Sequence, residues 1–476
     1  MRNVNSDLAD FSVDFLRKLG ADFAEAREEE YQSNMIIIKN GAVEIAGCQE
    51  SVGIGVKFVV NGCYGFCSVN RIDRDLLKKV IEGSFRQAKK SSGIRNAGQS
   101  PNGEKAIKDI SRVAYKTNPL DVPLDKKIGY IREMDKGLLS HGIKIPARFW
   151  TWTDGMVNKY YVNSEGSKIL SQFPMVGLDY SLSIKIGNSM AQRYWQHASQ
   201  AGWEAIKDWN LEGQLKEHLL ALEDNARHGK KPPHGEIDLI TGSEVTGIIA
   251  HESCGHPYEA DRILGREAAQ AGESFLESGS VGTRMGNEKL NLVDDPTAAG
   301  KVGSYKFDDE GIGARRKYLI KNGKVNEFLH NRSTSREMGV KSNGSARASS
   351  FDKDALVRMS NTFFLPGEQS FEELVEGVKS GIFMKNFTEW NIDDKRINQK
   401  YVGSEAYLIE NGKIAGPVKS PVLEISTFKL YAAIDASSRD MFELHAATCG
   451  KGEPMQGLGV SMGGPCLRIK GIRLSN

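Results

Sequence analysis

Apolar and polar residues alternate with a period of two along much of this chain, broken by a few stretches in which apolar residues recur every three or four positions. The first helical stretch covers about 6–19: Leu8, Phe11, Phe15 and Leu19 share a face, Ser6 is placed to cap it and Gly20 to stop it. Strands follow at 35–39, 43–48, 52–60 and 63–69, with Asn40-Gly41 and Asn61-Gly62 as hairpin turns. A helix over about 73–90 aligns Leu76, Leu77, Val80, Ile81 and Phe85, and 91–104 reads as a surface loop. Another helix is predicted over about 124–141. A second antiparallel set lies between Lys144 and Ala198, with Asp154-Gly155 and Glu165-Gly166 as turns, and an amphipathic helix over 211–228 closes this half.

The run from Gly229 to Gly235 is the best linker in the chain. Beyond it comes one helix, then short strands with hairpins at Asn322-Gly323 (318–321 with 324–329) and Asn411-Gly412 (407–410 with 413–415). The expected architecture is α+β in two domains. Residues 1–230 combine antiparallel sheets with helices; residues 231–476 are mostly β, barrel-like, with one helix that carries the chemistry.

Charge and cysteine content remove several function classes. Lys and Arg number 63 against 61 Asp and Glu, so nothing favours a general nucleic-acid or anionic-membrane binder. Six cysteines in 476 residues are too sparse for a disulfide framework. Cys63 and Cys67 fall in a strand, and no second pair completes a metal knuckle. Met1 to Asp7 holds no apolar signal region, and no apolar run approaches the ~18 residues a bilayer span needs. A soluble, cytoplasmic protein without nucleic-acid or membrane partners is expected.

The chemistry concentrates in His251-Glu252-Ser253-Cys254-Gly255-His256-Pro257-Tyr258-Glu259-Ala260-Asp261. Thr241-Gly242-Ser243-Glu244 fits a capping box, and Val245, Ile248 and Ile249 form an apolar face. Glu252 lies on that core-facing stripe, where a carboxylate needs a partner; a metal with its water would serve. The familiar zinc helix has histidines four apart, about 40° around the axis, whereas His251 and His256 are five apart, about 140° in a straight α-helix. Gly255 and Pro257 supply a remedy. Proline disfavours the α region at His256, so a helix end, kink or π-bulge here brings the two imidazoles together. A straight α-helix through His256 would defeat this reading. Catalytic zinc usually takes three protein ligands plus water, and Cys449, Cys254, Cys466, His445 and Glu259 are all candidates for the third. Cys449 lies in what reads as a Gly-flanked turn, Thr448-Cys449-Gly450-Lys451-Gly452; spacing does not choose among the five.

The whole chain resembles the TldD/PmbA family, on its TldD side. The resemblance is carried by His251, Glu252, His256, Glu259 and Asp261, by Cys449-Gly450-Lys451, by Arg358-Met359-Ser360-Asn361-Thr362-Phe363 with Leu365-Pro366-Gly367, and by Ser404 to Gly412. Val52 to Val56 and Gly65-Phe66 extend it to the N-terminal strands. The resemblance implies a zinc-dependent peptidase for short or unfolded peptides, with His251, His256 and Cys449 as metal ligands. It also implies dimers, with a second copy or with a PmbA-like partner. Residues 385–393 depart from the family's Gly-rich pattern.

On this reading Glu252 is the general base of metal-assisted peptide hydrolysis, and the cofactor is Zn2+, with iron as the other candidate. The rival is a non-catalytic, PmbA-like scaffold with a closed, structural metal site. Other signals are weaker. Val52-Gly53-Ile54-Gly55-Val56 lacks the third glycine of a dinucleotide loop, and Gly457 to Gly464 reads as a flexible or bulged strand. Trp150, Trp152, Trp195, Trp203 and Trp209 read as core positions. Arg315-Arg316-Lys317 reads as a solvated strand start, and Arg347 and Arg358 as surface ion pairs.

Overall fold

The alternating runs of the first two hundred residues become strands of up to 19 residues in one seven-stranded sheet. The computed structural model describes residues 6–92, 101, 103–267 and 271–475. In spatial order the sheet runs Cys63–Val69, Ala42–Val60, Phe23–Lys39, Ala147–Asn163 and Lys168–Ile186; the last also pairs with Lys108–Arg112 and Ser189–Ser199. Both early Asn-Gly pairs turn hairpins, with left-handed backbone at Asn40, Gly41, Asn61 and Gly62. The strands at 35–39, 43–48 and 52–60 are parts of two longer ones, because the pairing Phe23–Lys39 with Ala42–Val60 continues through the polar residues between. The Ser6 cap, and positions 93–100 and 102 of the predicted surface loop, lie outside the described residues.

Asp154-Gly155 does not turn the chain; it sits inside the strand Ala147–Asn163. A Cβ on Gly155 would stand 2.3 Å from the carbonyl oxygen of Gln32, so glycine is there for close strand approach. Asp154 is buried, accepting from Asn34 at 2.8 Å and from the fully buried Lys127 at 2.6 Å.

Helices cover one sheet face in two places. Ser6–Leu19 and Arg74–Ser91 lay Leu8, Leu16, Leu77, Ile81 and Phe85 over Ile54, Val56 and Phe58. Leu124–Leu139 and Leu211–His228 cover Ile36, Ile38, Trp150, Trp152 and Leu178, so these tryptophans are core. Truncating either would cost about 3–5 kcal/mol.

The C-terminal half holds an eight-stranded sheet whose main path is Ile434–Ser437, Leu467–Ile472, Ile237–Thr241, Ser380–Ile392, Asn398–Glu410, Val422–Ser426 and Leu474–Ser475. Leu474–Ser475, the last strand of the path, follows the second, Leu467–Ile472, after one residue of chain, so the sheet curls back on itself. A six-stranded sheet lies against it: Lys324–Val325, Lys317–Lys321, Leu292–Asp294, Asn361–Phe364, Gln456–Gly464 and Glu443–Lys451. The predicted arm 324–329 pairs only over Lys324–Val325. Lys317 is fully buried on Asp294 at 2.9 Å, not solvated. Side chains from both halves bridge the seam: Lys57 with Glu310 at 3.1 Å, Arg332 with Glu165 at 2.7 Å and Arg193 with Glu244. Among the described residues no helix is long and apolar enough to cross a membrane.

Candidate metal centre

Ile237–Thr241 leads at Gly242 into the helix Ser243–Ile249, which continues as a π-helical turn, Ala250–Gly255, and a 3-10 turn, His256–Tyr258. The N–H of His256 donates to the carbonyl of His251, five residues back. A π turn brings residues five apart onto one face, so the imidazoles meet with ring centroids 4.8 Å apart and planes at 82°. The distortion falls where the Gly-His-Pro run predicts it. The capping box does not form. Gly242 caps the helix without a side chain, and Glu244 instead takes two bonds from the buried Arg193, at 2.8 and 2.5 Å, which a water-exposed cap cannot match.

Cys449 is not in a turn but in the strand Glu443–Lys451, opposite Leu458. The Gly-rich strand beside it is paired on both sides, with Glu443–Lys451 and with Asn361–Phe364, rather than flexible. Its glycines let the motif helix lie directly on it: a Cβ on Gly247 would stand 2.8 Å from the nitrogen of Gly463. This contact seats the thiol beside the imidazoles, with Sγ 3.4 Å from Nε2 of His256. One donor atom each of His251, His256 and Cys449 lies within 4.8 Å of the others, the one such group among the described residues.

The other candidates lie elsewhere. Cys254 is buried against Tyr258 and Tyr431 in the apolar core, and burial holds its thiol well above the usual range. Cys466 belongs to a separate apolar cluster, its thiol pushed by burial to about 12. His445 packs edge-on to Trp195 at 4.9 Å. Glu259 stands behind His256, its Oε2 accepting from Nδ1 at 3.0 Å, from Arg262 Nε at 2.7 Å and from Lys451 Nζ at 3.2 Å. Asp261 accepts from the same lysine at 2.6 Å.

Electrostatics favour an anionic donor set. Burial raises the Cys449 thiol, but His256 and His251 outweigh it and hold it well below its ordinary range. Burial raises Glu259 too, and Lys451, His256 and Arg262 more than reverse that. Glu252 is buried as expected, but its partner is an arginine: Nη1 of Arg396 donates to Oε2. Burial raises this carboxyl; Arg396 and then the two histidines bring it below the usual range.

The residues fit a divalent cation. A tetrahedral ion ~2.0–2.3 Å from nitrogen and sulfur donors separates them by about 3.3–3.8 Å, close to the observed contact. Glu259 on Nδ1 turns Nε2 of His256 towards Cys449, the carboxylate–histidine arrangement of metal sites. Arg358 and Arg347 are not surface ion pairs. Arg358 is buried and donates to the carbonyls of Cys449 at 2.6 Å and Gln456 at 3.0 Å; Arg347 donates to those of Met359 at 2.7 Å and Gly459 at 2.9 Å. Both brace the strands that carry or adjoin Cys449. Nothing in the sequence points to Arg396 or Arg262 as part of the site, and Lys451 lies in the Cys449-Gly450-Lys451 run without any spacing that assigns it a role.

Models of the PmbA/TldA metallopeptidase family match three segments of the chain: domain 1 over 24–88, the central domain over 117–223 and the C-terminal domain over 234–476. A metalloprotease of Methanocaldococcus jannaschii is 31% identical over 449 residues, 94% of this chain and 96% of that one. The zinc metalloprotease TldD homolog of Saccharolobus solfataricus is 27% identical over 469 residues, 96% of this chain and 97% of that one. In fold the chain is similar to a Thermotoga maritima protein described as a candidate modulator of DNA gyrase, with TM-score 0.78, 17% identity and 99% and 100% of the two chains covered. It is also similar to TldE from Thermococcus kodakarensis, with TM-score 0.75, 14% identity and 99% of each chain covered.

Proposed function

Because the chain belongs to the TldD/PmbA metallopeptidase family, we propose that it is a zinc peptidase that hydrolyses short or unfolded peptides, with His251, His256 and Cys449 as its metal ligands and Glu252 as its general base. The observation that carries this reading is the convergence of three buried donors beside a buried glutamate. When bound, the ion supplies Lewis acidity, lowering the pKa of water to about 7 and polarising a carbonyl. Glu252 takes the proton of the attacking water and returns it to the amine nitrogen as the C–N bond breaks. Glu259 keeps the proton of His256 on Nδ1, and Arg358 holds the Cys449 carbonyl, so neither donor turns away. A thiolate donor makes for a weaker Lewis acid than a third imidazole, and slow turnover is expected.

Peptide binds in extended form. Glu443–Lys451 pairs with only one strand of its sheet, and a terminal strand suits backbone pairing that tolerates many sequences. The partner is a second subunit of the same fold, a copy or a PmbA-like chain. The part of the N-terminal sheet's second face that the C-terminal half leaves open supports this: it carries Met35, Ile45, Phe149 and Tyr194, all more than a third exposed. A reducing, cytoplasmic setting suits six cysteines, none of them in a disulfide. The test is cleavage of an unstructured peptide pool by wild type and Glu252→Gln, alone and with a PmbA-like partner, with zinc measured in both. Cleavage by wild type and none by a zinc-loaded variant supports the reading. Zinc without cleavage in either protein, with any partner, moves the chain to the scaffold class.

A further inference from the structure

The hairpin joining Ser380–Ile392 to Asn398–Glu410 carries Arg396 at its tip. Asp393 closes the turn: its carboxylate accepts from the N–H of Ile397 and of Asn398 at 2.8 Å each, and its carbonyl accepts from that of Arg396 at 3.0 Å. Arg396 stands at φ 62°, a left-handed conformation that a non-glycine residue keeps only where the surroundings enforce it. Thr427 Oγ1 enforces it from below, donating to the Arg396 carbonyl at 2.7 Å.

The conformation aims the side chain. The guanidinium is buried, with Nη1 on Glu252 Oε2 and Nη2 donating to the carbonyl of Ala271 at 3.3 Å. That same carbonyl accepts from Nη1 of Arg262 at 2.5 Å, and Arg262 is the residue that grips Glu259 behind His256. One backbone oxygen therefore joins two arginines, each holding one of the motif's two buried glutamates. Ala271 is fastened to the hairpin in turn, its N–H donating to Asp394 at 3.0 Å.

We propose that Arg396 is a positioning residue for peptide hydrolysis, one that fixes the Glu252 carboxylate through a single oxygen and, through the Ala271 carbonyl, keeps it in register with the Glu259–His256 pair. The proposal rests on Glu252 being the proton acceptor. A glutamate on a helix has several rotamers, and a general base must lie within about 2.6–3.2 Å of the proton it takes. A planar guanidinium sets two bonds at a fixed angle, which an ammonium does not, and misplacing a reacting group by about 1 Å costs about 10²-fold.

The experiment compares wild type, Glu252→Gln, Arg396→Lys, Arg396→Gln and Arg396→Ala for zinc content, kcat and KM on one fluorogenic peptide, with Arg396→Ala also assayed in millimolar guanidinium. The expected result is stoichiometric zinc throughout, no turnover in Glu252→Gln, and kcat lowered about 10²-fold in Arg396→Ala and Arg396→Gln at a nearly unchanged KM. Arg396→Lys falls between, and guanidinium restores part of the Arg396→Ala rate. A wild-type kcat in Arg396→Ala, or a loss that appears as lost zinc and resists guanidinium, overturns the proposal. If Arg396→Ala does not fold, Arg396→Lys decides: full kcat overturns the proposal, and reduced kcat with zinc and KM intact supports it. Turnover surviving in Glu252→Gln would instead sink the reading of Glu252 on which it stands.

Discussion

Adding one methyl group to Gly247 should weaken the candidate metal centre without touching a ligand. A Cβ there would stand 2.8 Å from the nitrogen, 2.9 Å from the Cα of Gly463 and 3.0 Å from the carbonyl carbon of Met462. All three are backbone atoms of a strand paired on both sides, so none can rotate away. Ordinary contact begins near 3.5 Å, so helix and strand must part by about 0.7 Å. Metal sites tolerate about 0.2 Å in donor distances, and the strand that moves is hydrogen-bonded to the one holding Cys449. Overpacking of this kind costs about 1–3 kcal/mol, which, taken up by the donor geometry, weakens zinc binding roughly 5- to 150-fold. Gly83 is the control: it lies in the helix Arg74–Ser91 with nothing within 4 Å of its would-be Cβ, and alanine there should add about 0.5–1 kcal/mol of stability. The assay is competition for zinc against a chelator of known affinity, beside urea unfolding. If Gly247→Ala holds zinc as tightly as wild type and Gly83→Ala, the close helix–strand contact is not what sets the donor geometry.

Glu259→Gln loses the carboxylate on His256 Nδ1, and zinc affinity of the folded protein should fall about 10- to 100-fold in the same competition. Arg193→Met leaves Glu244 buried without its partner, so the urea midpoint should drop by the equivalent of about 3–5 kcal/mol. Buried His218 and half-buried His197 and His445 have folded-state pKa values lowered, chiefly by desolvation, to about 2, about 4 and about 3. Unfolded, they take up protons near pH 6.5; folded, they resist, so stability is full above that pH and declines below it. At pH 5 each should cost about 2 kcal/mol, and His445→Gln should flatten the fall of the urea midpoint between pH 7 and pH 5.

What the sequence made legible was local. The Asn-Gly pairs fix hairpins because their backbone must be left-handed, and the helices Ser6–Leu19, Arg74–Ser91 and Leu211–His228 follow from apolar spacing that burial then satisfies. The Gly-His-Pro run foretold the break in the motif helix because a five-residue spacing has few ways to converge. What escaped was non-local. Asp154-Gly155 has the composition of a turn, yet strands on both sides and a buried lysine hold it extended. Thr241-Gly242-Ser243-Glu244 has the composition of a capping box, but the glutamate is claimed by Arg193, 51 residues upstream. Arg396 meets Glu252 across 144 residues, and neither position marks the other in the sequence. Choosing Cys449 over Cys254 needed family resemblance, because the choice depends on which strand lies beside the helix.

The proposed zinc ion is held by two imidazoles and one thiolate with a position left for water. X-ray absorption at the zinc edge, on wild type and Cys449→Ala, tests it directly. The predicted wild-type spectrum has one sulfur at about 2.3 Å with two imidazole nitrogens and one further light atom at about 2.0–2.1 Å, the sulfur shell vanishing in the variant. Two sulfurs, or a sulfur shell that persists in Cys449→Ala, would contradict the account and return the ion to a closed site that includes Cys254.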